Sequence, residues 1–191
     1  MLTARELSYG LFGAWRMALF DRSAMACFDT SVDGFWKSFW AAAIVAPSFI
    51  IMTAFGISQA DLPERIGFVE IALVEASRYV IAWVAFPLLM TTIADLLQRG
   101  ERYAGFIVAS NWGQVVEMAI VLPVFLVVVA SGLPSNQPNA AYTALFFAIS
   151  VYYWFIARSA LEISGWAAGA VVIFKLTLAG GVNFVADSML H

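Results

Sequence analysis

Three polar side chains inside a long apolar run are the first candidates for chemistry in this sequence. Asn111, Gln114 and Glu117 interrupt residues 103–133, which read YAGFIVASNWGQVVEMAIVLPVFLVVVASGL. A helix rises about 1.5 Å per residue and bilayer hydrocarbon is about 30 Å thick, so Glu117, midway between Tyr103 and Ser131, falls near the midplane of a crossing helix. An ionised carboxylate at that depth needs a cation, a hydrogen-bond donor or a proton. Lys175, central in the apolar run 165–187, comes out at a similar depth. On helical projections both residues share their sides with small or apolar residues, Gly113 and Val121 beside Glu117 and Ala168, Val172 and Ala179 beside Lys175. The expectation is a midspan polar seam of Asn111, Gln114, Glu117 and Lys175. Its sharpest form is a direct Glu117–Lys175 ion pair; the alternative is a separate partner for each, in this chain or a neighbouring subunit. A seam that titrates can carry protons or ions, whereas a seam that stays paired holds helices together.

Two further groups have chemistry-bearing spacing. Glu75 and Arg78 stand one helical turn apart in the outer half of the second apolar run, which reads as a charge pair at a helix start and, second, as the lining of a polar cavity opening outward. Trp154, Arg158 and Glu162 follow one another at intervals of four, which predicts a cation–π contact and an ion pair at the inner end of the fourth run. The neighbouring Tyr152-Tyr153-Trp154-Phe155 cluster reads as an interfacial aromatic belt. No Ser/His/Asp set, HExxH motif or phosphate loop is present, and the single histidine is His191. One cysteine, Cys27, excludes a disulfide within the chain, and the Cys and His content predicts no metal site and no cofactor. An enzyme is therefore not expected.

The elements that hold these residues follow from composition and run length. With 62% hydrophobic and only 12% charged residues the chain lies outside soluble globular usage and reads as an integral membrane protein. The expected architecture is all-α, a polytopic bundle of five transmembrane helices at about 38–58, 68–98, 103–131, 140–160 and 165–187. Together these form a membrane domain over 38–191. Residues 1–37 hold too many charges to span and read as a cytoplasmic surface segment. In it Leu7, Leu11, Phe12, Trp15, Ala18 and Leu19 recur at helical spacing, giving an amphipathic helix that lies on the interface or packs on its own membrane domain. Thr30 followed by Asp33 is the expected cap of the next helix, which enters the bilayer through Phe35, Trp36, Phe39 and Trp40. The first run is long enough to read as a retained span and not a cleaved signal, despite the small residues of Ser58-Gln59-Ala60.

Orientation rests on basic residues. Arg5, Arg16, Arg22, Lys37, Arg99, Arg102 and Arg158 fall on one side of the five runs, against Arg65 on the other. The positive-inside rule then predicts an inner-membrane protein with its N-terminus cytoplasmic and its C-terminus, with Asp187 and His191, outside. The net charge of −3 and the absence of basic runs exclude nucleic acid as a partner class. The bilayer itself and a protein partner or second copy in the membrane are the expected partners.

The five-run layout, with Trp83-Val84-Ala85-Phe86-Pro87 and the hairpin continuation Arg102-Tyr103-Ala104-Gly105-Phe106-Ile107-Val108-Ala109-Ser110-Asn111-Trp112, resembles bacterial members of the Yip1-like group. The resemblance covers mostly the membrane portion, and mid-run Lys175 has no counterpart in it. It implies a multispan protein without a known catalytic site, whose eukaryotic relatives are adaptors in membrane traffic; no residue role carries over. The functional expectation is a non-catalytic accessory, assembly or membrane-organising subunit acting through helix–helix contacts, the alternative being an oligomeric transporter or channel built on the polar seam.

Overall fold

The computed structural model describes residues 2–59, 67–132 and 140–190; Arg65, the turn-rich segment 134–139 and His191 lie outside them. Every regular element among the described residues is helical. The N-terminal segment holds α1 (Ala4–Ala18), a 3-10 turn (Arg22–Cys27) and α2 (Val32–Ser38). Five long helices follow: α3 (Trp40–Gln59), α4 (Phe68–Leu96), α5 (Tyr103–Ala130), α6 (Ala140–Ala160) and α7 (Gly165–Leu190). Each is apolar and long enough to cross a bilayer, α3 together with the preceding α2, so the chain is an all-α polytopic membrane bundle. The long helices begin and end within a few residues of the apolar runs, with α7 continuing past Asp187 to Leu190.

Gly105 to Gly113 of α5 are buried without a break, which marks this half-helix as the axis of the bundle. Helices α1, α2, α3 and α6 pack on α5, and α7 packs on α6 and α4. Tyrosine hydroxyls tie neighbours through main-chain oxygens. Tyr79 of α4 donates to the Ala42 carbonyl of α3 at 2.5 Å, and Tyr103 of α5 donates to the Pro87 carbonyl of α4 at 2.9 Å.

Helix α1 starts with a capping box, Thr3 and Glu6 satisfying each other's backbone N–H groups. Its fully buried residues are Gly10, Gly13, Ala14 and Met17, and Leu7, Leu11 and Ala18 of the stripe read from the sequence pack partly buried beside them. Small residues are required there: a Cβ on Gly10 would lie 2.5 Å from the Trp112 indole of α5. The amphipathic face of Phe12, Trp15 and Leu19 remains exposed. Both readings of α1 thus describe one helix, packed on α5 along a small-residue stripe and apolar on its outer side.

The cap of α2 differs by one residue from expectation. Ser31, not Thr30, accepts from the Gly34 N–H, because Asp29 takes the Ser31 N–H and sets the turn, while Thr30 packs against Gly105.

Candidate functional site

Glu117 and Lys175 do not pair directly, and the residue between them is Tyr153 of α6. Its hydroxyl donates to Glu117 Oε2 at 2.5 Å, while the Lys175 ammonium sits 3.0 Å from the centre of its ring. Lys175 also lies 5.5 Å from the Phe86 ring of α4 and has no hydrogen-bond acceptor among the described residues. The expected ion pair is therefore replaced by a relay of one hydrogen bond and one cation–π contact joining α5, α6 and α7. The reason is spatial: α6 runs between α5 and α7, so the carboxylate and the ammonium meet opposite parts of the same phenol ring.

Asn111 belongs to a different cluster. It is buried at 2% exposure and its Nδ2 donates to Ser38 Oγ at 2.9 Å, fixing the end of α2 to α5. The Ser38 hydroxyl in turn donates to the Phe35 carbonyl at 2.7 Å. Gln114 is half-buried on α5, one turn before Glu117. The seam thus divides into a lower Asn111–Ser38 contact and a midspan Glu117–Tyr153–Lys175 relay.

Sequence reasoning missed Tyr153 and its neighbour because tyrosines near a span end read as an interfacial belt. Both are buried instead, at 8% for Tyr152 and 6% for Tyr153. Tyr152 donates to the Ala14 carbonyl of α1 at 2.9 Å, so these two residues hold α6 to the N-terminal helix and to the midspan charges. The signal that could have found them is the stripe Tyr153, Ile156, Ala157 and Ala160 at helical spacing, which marks a packed face.

Glu75 and Arg78 pair at 2.5 Å, with 12% and 19% of their side chains exposed. The pair is not solitary. Arg78 also reaches Thr53 of α3 at 3.5 Å, lies 3.9 Å from Asp187 of α7, and stands over the Phe49 ring at 5.5 Å. These groups line a cavity of about 410 Å³ between α3, α4, α5 and α7.

At the opposite end Arg158 stands 5.1 Å from the Trp154 ring, as the spacing predicts, and Trp154 Nε1 donates to the Gly165 carbonyl at 2.8 Å. Glu162 does not meet Arg158; it pairs with Arg102 at 2.7 Å. Helix α6 stops at Ala160, and Glu162 has a left-handed φ of 50°, so the interval of four no longer keeps both residues on one face. The ion pair consequently joins the α4–α5 connection to the α6–α7 connection.

A charged network also surrounds the N-terminal segment. Lys37 of α2 meets Glu6 of α1 at 2.7 Å and Asp33 at 2.5 Å. The Lys37 hydrogen bond, then the Thr3 backbone and side-chain bonds, hold the Glu6 carboxyl well below its ordinary range, at about 2. No group of three or more His, Cys, Asp and Glu that can hold a metal occurs among the described residues. Comparison with protein-family models, with curated proteins and with solved structures finds no match for this chain.

Proposed function

We propose that this integral membrane protein acts by association within the bilayer, as an accessory, assembly or membrane-organising subunit, and not as a catalyst. The observation that carries the reading is Tyr153. Its hydroxyl occupies Glu117 and its ring occupies Lys175, which gives the midspan charges the work of joining three helices. Groups engaged in this way stabilise one arrangement of the bundle; groups that move ions exchange partners.

The outer surface supports the same reading. Gly169, Ile173, Leu176, Gly180 and Phe184 form one stripe along α7 at helical spacing. Ile173 is 66% and Phe184 74% exposed, and a side chain added at Gly169 or Gly180 would meet nothing within 4 Å. Glycines among larger apolar residues let a second transmembrane helix approach closely. The five-run layout resembles that of Yip1-like proteins, whose eukaryotic relatives are adaptors, and the resemblance would imply a binding role.

The test is purification in a gentle detergent with mass measurement of the intact assembly. The expected result is a partner at fixed stoichiometry, lost on Gly180→Leu while the protein itself remains folded. A homo-oligomer whose ion or solute flux in vesicles disappears with Glu117→Gln overturns the proposal in favour of a transporter or channel.

A further inference from the structure

The cavity around Arg78 does not end at its polar walls. On one side of α4 it adjoins a groove of about 650 Å³ between α4 and α7, lined by Leu73, Ile81, Leu178, Val185 and Met189, to which Arg78 itself contributes. On the other side lies a groove of about 560 Å³ between α3 and α4, lined by Ile50, Ile57, Phe68 and Ala72, to which Thr53 and Glu75 contribute. One polar chamber thus shares lining residues with two apolar grooves, one between α4 and α7 and one between α3 and α4.

We propose that this is a binding site for one two-chain phospholipid with a zwitterionic, primary-amine headgroup. The chamber takes the headgroup and each groove takes one acyl chain. The grooves lie along helices that span the bilayer, so hydrocarbon chains are the material that fills them. Arg78 stands about 15 Å along α4 from Phe68, and its guanidinium approaches Asp187, three residues from the end of α7, so the chamber reaches from the interior of the bundle toward one of its ends.

Charge selects the headgroup. Arg78 has its Nη2 on Glu75, while its Nε has no acceptor among the described residues and its Nη1 is 3.9 Å from Asp187. A guanidinium with donors to spare suits a phosphate oxygen. Asp187 is only loosely held by Arg78 and is 62% exposed, which leaves its carboxylate for a cation. Arg78, Glu75 and Asp187 together carry one net negative charge, so a purely anionic headgroup is opposed and a phosphate joined to an ammonium is matched. A primary ammonium donates hydrogen bonds to Asp187 and to the Asn183 amide oxygen, both of which line the chamber; a quaternary ammonium donates none.

The site is read by native mass spectrometry of the full chain taken from nanodiscs containing equal parts of phosphatidylethanolamine, phosphatidylcholine and phosphatidylglycerol. The expected spectrum retains one phosphatidylethanolamine per chain. Asp187→Asn lowers that retention about tenfold relative to phosphatidylcholine, the scale of one charge-assisted hydrogen bond. Gly181→Leu lowers it for all three lipids, because Gly181 lines the α4–α7 groove with open space where its side chain would stand. Both positions are exposed, and thermal unfolding checks that each variant folds. Equal retention of the three lipids, preference for phosphatidylglycerol, or retention unchanged in both folded variants overturns the proposal.

Discussion

Tyr153 contributes through two parts of one side chain, and the two can be separated. Tyr153→Phe keeps the ring under Lys175 and removes the only hydroxyl that reaches Glu117 Oε2 among the described residues. Hydrogen bonds inside membranes contribute about 0.5–1.7 kcal/mol, and a half-buried carboxylate left without its donor at midspan raises the cost to about 1–3 kcal/mol. Unfolding of the purified protein should therefore move by that amount in Tyr153→Phe, further in Tyr153→Leu, and much less when Glu117→Gln is already present. A Tyr153→Phe protein as stable as the natural one would show that the relay contributes nothing. Glu117 and Lys175 were legible in the sequence because charge in the middle of an apolar run has few explanations. Tyr153 was not, because tyrosine is at home both in a headgroup layer and in a packed core, and only its packing partners separate the two. Glu162 was misassigned for a related reason: spacing of four implies contact only while the helix continues, and the left-handed backbone at this position ends it.

The long helices could be read from the chain because a crossing element must be apolar over most of its length, which hydropathy reports directly. How α1 sits could not, since amphipathic spacing is shared by helices that lie on lipid and helices that pack on protein. The deciding residues, Gly10 and Gly13, have no hydropathy signal; what matters is the side chain they lack, which lets Trp112 and Phe28 approach. Docking of α1 also has an electrostatic component with a definite pH dependence. The Glu6 carboxyl is held at about 2, against an ordinary value of 4.5, chiefly by Lys37. A carboxyl depressed on folding stabilises the folded arrangement above its ordinary range, and the contribution is lost as pH falls through that range toward the depressed value. Amide-exchange protection of α1, corrected for the intrinsic effect of pH, should therefore fall between about pH 5 and about pH 2. Glu6→Gln should show weaker protection at neutral pH and a flatter response below it. Protection that is constant over this window, or that falls equally in the variant, would assign the docking to the apolar stripe alone.

Across the whole molecule, five crossings, an odd number, would place the N-terminal segment and the end of α7 on opposite faces of the membrane. The Arg102–Glu162 pair brings the α4–α5 and α6–α7 connections together, and Lys37 with Glu6 joins α2 to α1. Arg16, Arg22 and Lys37 belong to the N-terminal segment, Arg99 and Arg102 to the α4–α5 connection, and Arg158 to the last turn of α6. Basic residues gathered at one end of a bundle resist transfer across the membrane during insertion, so our proposal is that this end faces the cytoplasm. The single cysteine makes the proposal measurable without disturbing the fold, since Cys27 is half-buried within the 3-10 turn of the N-terminal segment. A membrane-impermeant maleimide should label Cys27 only after cells are opened. In a Cys27→Ser background, Ser188→Cys, exposed near the far end of α7, should be labelled in intact cells. The reverse pattern would show that the basic residues do not set the orientation. Labelling of both positions from the same side would require an even number of crossings, and one of the five long helices would then have to lie outside the bilayer.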